Sequence, residues 1–326
     1  MKEKTWQYEL QHAVSDPNVL LKYLQLDSRL LPEAQRAAQL FPLKVTHSFL
    51  TRMRRGDPAD PLLRQVLPIG LEEIHVKEFV MDPLAEKTAN PIPGLLHKYY
   101  GRVLIIFSPT CGIACRYCFR RHFPYQANRM TQHAWDAILM YIKQDRTIRE
   151  VILSGGDPLI INDSLFEDRM NQLAKIEHVK TVRIHSRMPI IVPSRITSSL
   201  LDGMTKTRLR FVLVVHCNHA QELDYDVAKA IAQVCDVGVL VLNQAVLLKG
   251  INDSESALID LSHRLFDIRI LPYYLHFLDK VQGAAHFAVD LVRARSLLRA
   301  IREKLPGYLV PRLVWEHSGA RSKLPL

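Results

Sequence analysis

The sequence has no long hydrophobic run, few cysteines and no block of basic residues. No apolar stretch approaches the roughly 18 residues that a membrane-spanning helix requires. The first residues, MKEKTWQYELQHAVSDP, lack the apolar stretch of a secretory signal. These absences predict a cytoplasmic protein with no membrane partner.

The five cysteines do not form the pattern of a disulfide framework. Three of them, Cys111, Cys115 and Cys118, have CxxxCxxC spacing just after an apolar run. Three thiolates can hold a 4Fe–4S cluster by three irons and leave the fourth iron open to a ligand. A structural zinc site is the alternative, but zinc usually takes four protein ligands and the sequence has no second CxxC pair. We expect Cys217 and Cys235 to be packing residues.

The charge balance is basic. Lysine and arginine number 43 against 33 aspartates and glutamates, which gives a net charge of +10. Such a surplus could attract nucleic acid, phosphorylated ligands or an acidic protein. Because the basic residues are scattered, a solvated basic surface is the simplest interpretation, and we do not expect nucleic acid as a partner. Apolar residues at 48% are enough for a sizeable core.

From residue 103 onward, short β-branched apolar runs alternate with amphipathic stretches, which predicts a βα repeat and a parallel sheet. Six units fit a six-stranded partial barrel better than a closed barrel of eight, and a doubly wound open sheet is the alternative. The predicted strands are 103–107, 150–154, 181–186, 210–216, 238–244 and 268–275. The predicted helices are 131–145, 162–175, 194–205, 220–234 and 253–266, starting near Thr131, Asn162, Ser194, His219 and Asp253.

The chain outside this repeat has a different sequence pattern, without repeated strands. Residues 1–95 read as helical and irregular, with a helix expected over 32–40 and many prolines beyond it. They could cover the barrel, mediate self-association into a homo-oligomer or dock a partner. We divide the rest into a core, 96–288, and a C-terminal helix and segment, 289–326.

Polar residues stand at the carboxyl end of each predicted strand. They include SGGDP (154–158), HSR (185–187), HCNH (216–219) and NQ (243–244), and after the last strand come Tyr274, His276 and Asp279. In parallel α/β folds ligands bind at this edge of the sheet. The sequence therefore predicts one site that joins these residues to the cysteines.

Several motifs carry a family resemblance. They are CRYCFRRHF (115–123), SGGDP, RIHSRMP (183–189), HCNHA (216–220), LNQAVLLKGIND (242–253) and PYYLHFLDKVQGAAHF (272–287). From about residue 55 to the C-terminus the chain resembles the lysine 2,3-aminomutases of the radical S-adenosylmethionine (SAM) superfamily. It is most similar to the elongation factor P (EF-P) branch, through RRHFPY (120–125) and the closeness of SK (322–323) to the C-terminus. The resemblance implies an α/β fold, a radical SAM partial (β/α)6 barrel with a mainly helical N-terminal extension and a short C-terminal segment.

The resemblance also implies how S-adenosyl-L-methionine is held. Its methionine amino and carboxyl groups chelate the open iron, and the segment with Gly155, Gly156 and Asp157 takes the amino group. Side chains after the next two strands supply donors and acceptors suited to ribose and carboxylate; they are Ser186, Arg187, His216 and Asn218.

A second cofactor, pyridoxal 5′-phosphate (PLP), is implied by the resemblance. The lysine that holds it covalently matches Lys323, the phosphate-binding basic pair matches Lys98 and Arg102, and a polar contact matches Gln244. Two departures from the family stand out. Only Gly319 remains of the glycines before the lysine, and Lys98 stands where free-lysine enzymes usually have arginine, so a point charge replaces a bidentate contact.

The implied substrate is L-lysine. Arg120 matches the arginine that pairs with the amino-acid carboxylate, and Asp279 and Glu316 occupy the positions of the two acids that recognise the distant ammonium group. The implied product is (R)-β-lysine, which a separate ligase attaches to EF-P, with electrons from a donor such as flavodoxin or ferredoxin.

Three alternatives stay open at this point. The first is an aminomutase of another amino acid; Asp279 argues against glutamate, and a larger pocket would favour arginine. The second is a radical SAM enzyme that modifies RNA or protein without PLP. The third is an iron–sulfur regulator, which leaves SGGDP and the other polar strand ends unexplained.

Overall fold

The computed structural model describes residues 5–326. Its centre is a nine-stranded sheet in which the strands follow one another in chain order. The strands are β1 (Leu95–Tyr99), β2 (Arg102–Ser108), β3 (Glu150–Gly155), β4 (Thr181–Ser186), β5 (Arg210–Val215), β6 (Leu240–Val246), β7 (Leu271–His276), β8 (Arg312–Trp315) and β9 (Leu324–Pro325).

Eleven α-helices accompany the sheet in the part of the chain described. They are α1 (Trp6–Gln11), α2 (Pro17–Tyr23), α3 (Leu31–Leu40), α4 (His47–Leu50), α5 (Gln132–Gln144), α6 (Asp163–Ala174), α7 (Met188–Ile191), α8 (Ser198–Thr205), α9 (Tyr225–Asp236), α10 (Glu255–Asp267) and α11 (Leu291–Lys304). None of the helices within residues 5–326 is long and apolar enough to cross a membrane.

The order of the strands confirms the partial barrel. Strands β2 to β8 are parallel neighbours in sequence order, as in the register Val151↔Val182 and Ile184↔Leu213. A doubly wound sheet would reverse its order at a switch point, and this one does not. The antiparallel strands β1 and β9 form the two edges, and no pairing between them closes the sheet within the described residues.

All six predicted strands are confirmed, but two predicted helix starts are wrong. The helix expected from residue 194 begins at Ser198 with Thr197 as its cap, because Pro193–Arg195 form a 3₁₀ turn first. The helix expected from residue 220 begins at Tyr225, again after a 3₁₀ turn. At Thr131 and Asn162 the expected capping side chain accepts a backbone N–H bond of the helix, and the predicted start is correct.

Three strands have no counterpart in the predicted set. Strand β1 precedes the repeat, β8 extends the parallel sheet beyond β7, and β9 is only two residues long. Strand β9 pairs with β8 through Trp315↔Leu324. This pairing fixes the chain directly after Lys323, so the lysine is tied to the last parallel strand.

The N-terminal residues pack on the sheet. Side chains of α1, α2 and α4, including Trp6, Leu20 and Phe49, belong to the same apolar core as the strands. Covering the barrel, one of the three roles considered for this segment, is therefore a contact that the structure shows. The boundaries at residues 95 and 288 stay predictions.

A buried carboxylate in the N-terminal segment holds the cysteine loop. Glu72 accepts hydrogen bonds from Arg116 Nε (2.8 Å) and Nη2 (2.6 Å), and from Arg121 Nη2 (2.9 Å). All three side chains are almost fully buried. The backbone N–H of Arg116 also donates to the carbonyl of Gln65. The loop that carries the cysteines is thus fixed by residues far away in sequence.

We expect Glu72→Gln to destabilise the protein by about 3–5 kcal/mol, because it strands two buried guanidinium groups. The measurement is the free energy of unfolding in urea. The neighbouring Glu73→Gln removes an exposed ion pair with Arg36 and should change stability by less than about 0.5 kcal/mol. Equal effects of the two substitutions would contradict this account of the loop.

Candidate active site

One large cavity of about 730 Å³ lies inside the partial barrel. Its walls are formed by residues at the carboxyl ends of the strands and by strand side chains that point into the barrel. The predicted site residues that line it are Lys98, Arg102, Cys111, Cys115, Cys118, Arg120, Gly155, Gly156, Asp157, Arg187, His216, Gln244, Asp279, Glu316 and Lys323. Ser186 and Asn218 lie behind the wall, and Cys217 and Cys235 are outside it.

The three clustered cysteines meet at one end of this cavity as free thiols. Within residues 5–326 no group of three or more His, Cys, Asp or Glu side chains is arranged to hold a single metal ion. Three cysteines suit a 4Fe–4S cluster, because each thiolate binds a different iron. Burial raises the pKa of the Cys118 thiol to about 11, so a bound cation is what makes a thiolate stable there.

The glycines after β3 fix the cysteine loop. The Gly156 N–H donates to the Ser108 carbonyl (2.8 Å), and the Asp157 N–H donates to the Thr110 carbonyl (2.7 Å). A Cβ atom on residue 156 would lie 2.2 Å from the Thr110 carbonyl oxygen, so only glycine allows this approach. The turn therefore places Cys111, the residue after Thr110, against the end of β3.

The carboxylate of Asp157 is fully used by the chain itself. Its Oδ1 accepts from Ser186 Oγ (2.7 Å) and the Leu159 N–H (3.0 Å). Its Oδ2 accepts from the N–H groups of Arg187 (2.7 Å) and Met188 (3.2 Å). Burial raises the pKa of Asp157 to about 6 despite these donors. A contact between Asp157 and the SAM amino group stays a prediction, and it requires one of these donors to move.

A buried polar network stands behind the cysteines. Arg187 Nη1 donates to Cys115 Sγ (2.8 Å), and its Nη2 donates to Gln65 Oε1 (2.6 Å) and Glu222 Oε2 (3.0 Å). Asn218 Nδ2 donates to the same Gln65 oxygen (3.0 Å). A guanidinium at this sulfur stabilises a thiolate or a cluster sulfur. Arg187 and Asn218 therefore support the cysteine end of the site, and Asn218 does so from outside the cavity.

Five charged side chains form a row of alternating sign along the cavity. Arg120 makes two hydrogen bonds to Glu86 (2.7 and 2.8 Å), and Glu86 lies 3.5 Å from Lys98 Nζ. Lys98 donates to Glu316 (3.0 Å), which also accepts from Lys323 (2.7 Å). The two lysines outweigh burial and lower the pKa of Glu316 to about 2. Lys98, which was predicted to bind the cofactor phosphate, therefore pairs with Glu316, which was predicted to bind the substrate ammonium group.

Sequence reasoning did not find three residues of this site, Gln65, Glu86 and Glu222. Gln65 and Glu86 lie in a segment without a periodic pattern, and Glu222 lies in a 3₁₀ turn at the start of the segment predicted as a helix over 220–234. Their guanidinium partners, Arg120 for Glu86 and Arg187 for Gln65 and Glu222, are 34 to 122 residues away along the chain. A lone polar residue in such a segment gives no signal before its partners are known.

Two histidines and one aspartate of the cavity have pKa values that burial shifts towards the neutral form. Burial, together with nearby cations, lowers the pKa of His216 to about 3; its Nε2 lies 2.7 Å from the Gln244 amide. Burial also lowers the pKa of His185 well below its usual value. Burial and Glu316 raise the pKa of Asp279 to about 7. Asp279 is therefore poised to become charged when a cation arrives.

The other end of the cavity fits a phosphate-bearing aromatic cofactor. Lys323 Nζ lies 5.8 Å from the centre of the Tyr274 ring. Arg102 stacks on Tyr99 and makes no ion pair with any acid of the described chain, which leaves its charge available to a phosphate. His185 Nε2 is buried at the cavity without a hydrogen-bond partner. A lysine, a free guanidinium and an unsatisfied imidazole are a suitable donor set for PLP.

Comparison with known proteins gives consistent matches. Residues 105–198 match the Radical SAM superfamily. The chain is 45% identical to a protein of Escherichia coli named L-lysine 2,3-aminomutase, over 98% of this chain and 94% of that protein. Proteins of the same name from Buchnera aphidicola and Haemophilus influenzae are 43% and 42% identical, each over 99% of this chain and 95% of the relative.

We expect Gly156→Ala to lower the iron and sulfide bound after anaerobic reconstitution, because the new methyl group displaces the backbone before Cys111. Gly307→Ala is the matched control, since a Cβ there meets no atom within 4 Å. Iron and sulfide analysis and the visible absorbance of the cluster are the measurements. Full cluster content in Gly156→Ala would refute the role given to this turn.

Asp279 predicts a pH dependence of stability in the ligand-free protein. Its folded pKa of about 7 lies above the unfolded value near 4, so the folded state holds more protons between these limits. The free energy of unfolding contributed by Asp279 therefore falls as pH rises from about 4 to about 7. Asp279→Asn should be more stable than the unaltered protein at pH 8, by roughly 1–3 kcal/mol, and nearly equal at pH 4. Urea unfolding at both pH values tests this; a gap independent of pH would contradict it.

Proposed function

Because the chain belongs to the lysine 2,3-aminomutase family of the radical SAM superfamily, we propose that it converts L-lysine to (R)-β-lysine by moving the α-amino group to the β-carbon. The observation that carries the proposal is the joining of three thiols, a lysine, an arginine and an aspartate in one cavity. Enzymes of this family are isomerases that use a 4Fe–4S cluster, SAM and PLP.

The two charged ends of L-lysine match two groups of the site. Arg120 is a fixed guanidinium that can bind the α-carboxylate through paired N–H groups. Asp279 has a pKa of about 7, so its carboxyl group is partly protonated near neutral pH. The ε-ammonium group of lysine would lower this pKa and make Asp279 an anion. An acidic side chain in place of that ammonium would leave Asp279 without a partner, so a cationic amino acid is favoured.

The chain's own residues position the cofactors and exclude water. Cys111, Cys115 and Cys118 would hold the cluster, Lys323 would hold PLP, and Arg102 would bind its phosphate. When bound, the reduced cluster supplies one electron to cleave SAM and start radical chemistry, and PLP supplies a π system that delocalises an unpaired electron. The apolar barrel walls keep bulk water from this chemistry. Glu316 holds the Lys323 ammonium group until the cofactor replaces that contact.

A finer proposal concerns the use of the product. RRHFPY at residues 120–125 is similar to the EF-P branch of the family, and this supports a role in supplying (R)-β-lysine to the ligase that modifies EF-P. The test is the identity of the amino acid released by hydrolysis of EF-P from cells with and without this protein, separated by chromatography because α-lysine and β-lysine have the same mass. An EF-P that keeps its β-lysyl modification in the absence of this protein would count against the role.

The central experiment is an anaerobic assay of the reconstituted protein with dithionite, SAM, PLP and L-lysine, with L-arginine as a parallel substrate. We expect β-lysine that depends on both SAM and PLP. Lys323→Ala should lose β-lysine formation and the visible absorbance of bound PLP, while keeping its cluster. Lys304→Ala is the control, because that lysine is exposed and pairs only with Glu255.

The outcomes separate the hypotheses. SAM cleavage without β-lysine would move the proposal to another substrate, with arginine tested directly. Full activity of Lys323→Ala would remove PLP attachment from the account and favour a radical SAM enzyme of a different class.

A further inference from the structure

Glu86 is a buried acid in an irregular segment, and no motif includes it. The segment is tied at its start by a bridge between Val80 and Val281, and at its end by Asn90, whose amide lies 2.6 Å from Asn128 Oδ1. Ala85, directly before Glu86, has a φ of +47°. That left-handed conformation costs a residue other than glycine about 1 kcal/mol and persists only where the surroundings hold it. The turn is therefore built to point Glu86 inward.

The hydrogen bonds of Arg120 leave a defined part of its guanidinium free. Of its five N–H groups, Glu86 takes one on Nε (2.7 Å) and one on Nη2 (2.8 Å). Ser154 Oγ accepts a third from Nη1 (3.1 Å). Two N–H groups remain, one on each terminal nitrogen. These free N–H groups can donate to the oxygens of a carboxylate.

Displacing Glu86 from Arg120 would be costly. Both side chains are more than nine-tenths buried, and breaking a buried ion pair leaves an uncompensated charge. Lys98 at 3.5 Å adds a second cation that favours the carboxylate where it is. An incoming carboxylate therefore adds to the Arg120–Glu86 pair and does not replace it.

The same pair also forms part of a wall. Glu86, Phe119 and Arg120 line the main cavity on one side and a small outer pocket of about 60 Å³ on the other. While Glu86 holds Arg120, the two spaces are separated at this point. The guanidinium is thus kept in a water-poor position, where its remaining donors bind an anion more strongly.

We propose that Glu86 is a positioning residue for the amino-acid substrate: it holds the Arg120 guanidinium edge-on so that the two remaining donors bind the substrate α-carboxylate. This inference rests on the proposed function and deepens it. Glu86 does not touch the substrate. Its effect passes through Arg120 and is specific to the carboxylate end of the ligand.

The test compares two ligands that differ only at the carboxyl group, L-lysine and L-lysinamide. Dissociation constants are measured by calorimetry on protein loaded with cluster and PLP but without SAM, so that no turnover occurs. We expect Glu86→Gln to weaken L-lysine binding about 10- to 100-fold and to leave L-lysinamide binding nearly unchanged. In turnover assays the same variant should raise KM for lysine more than it lowers kcat.

Two further variants complete the design. Glu78→Gln alters an exposed acid in the segment just before Glu86, where Glu78 pairs with Lys280. This variant should bind both ligands like the unaltered protein. Glu86→Asp keeps the charge but moves it away from Arg120 by one methylene group. It should therefore also weaken L-lysine binding and leave L-lysinamide binding nearly unchanged. It serves as the test variant if Glu86→Gln fails to fold.

Two results would overturn the inference while leaving the proposed function intact. Tighter lysine binding by Glu86→Gln would mean that Glu86 competes with the substrate for Arg120. Equal losses for lysine and lysinamide would mean that Glu86 supports the fold only. If the unaltered protein neither binds nor converts lysine, the proposed function itself is overturned, and the inference with it.

Discussion

The buried carboxylate of Glu72 is the contact on which the arrangement of this molecule depends. The loop from Cys111 to Cys118 has no helix or strand of its own, so its shape comes from outside it. Glu72 supplies that shape by binding Arg116 and Arg121, and the glycine turn after β3 fixes the other side. One acid binds both guanidinium groups, so none of the three charges is buried without a partner. The N-terminal segment is therefore part of the cysteine site as well as a cover for the sheet.

The cavity is organised by charge alternation. Three cations and two anions, from Arg120 to Lys323, each have a neighbour of opposite sign, so no member is buried alone. The histidines nearby are held neutral by burial, and Asp279 stands close to its titration point. Such a site has an unequal response to ligands. The proposed substrate, an amino acid with a cationic side chain, would extend the row, whereas a ligand without charged groups would leave the row as it is.

The sequence predicted what periodicity and residue type encode. The six strands and the start at Thr131 followed from apolar spacing and capping chemistry, and the gathering of polar strand ends followed from parallel topology. The family resemblance, and not spacing, gave Lys323, Arg120 and Asp279 their proposed roles. The roles of Glu72 and Glu86 were not predicted, because their arginine partners are distant in sequence and their segments are irregular. The helix starts near residues 194 and 220 were wrong because a 3₁₀ turn precedes each helix.

The two-residue strand β9 gives Lys323 an attachment different from that of the cysteines and Arg120. The cysteines and Arg120 are held by buried contacts, whereas β9 is exposed and adds only a short antiparallel pairing at the open edge of the sheet. Local opening free energies are lowest where few buried contacts must be broken. Opening of this one edge, together with the Lys323–Glu316 contact, would release Lys323 while the seven parallel strands stay folded. A bulky cofactor would then have a route to the cavity that does not require unfolding of the barrel.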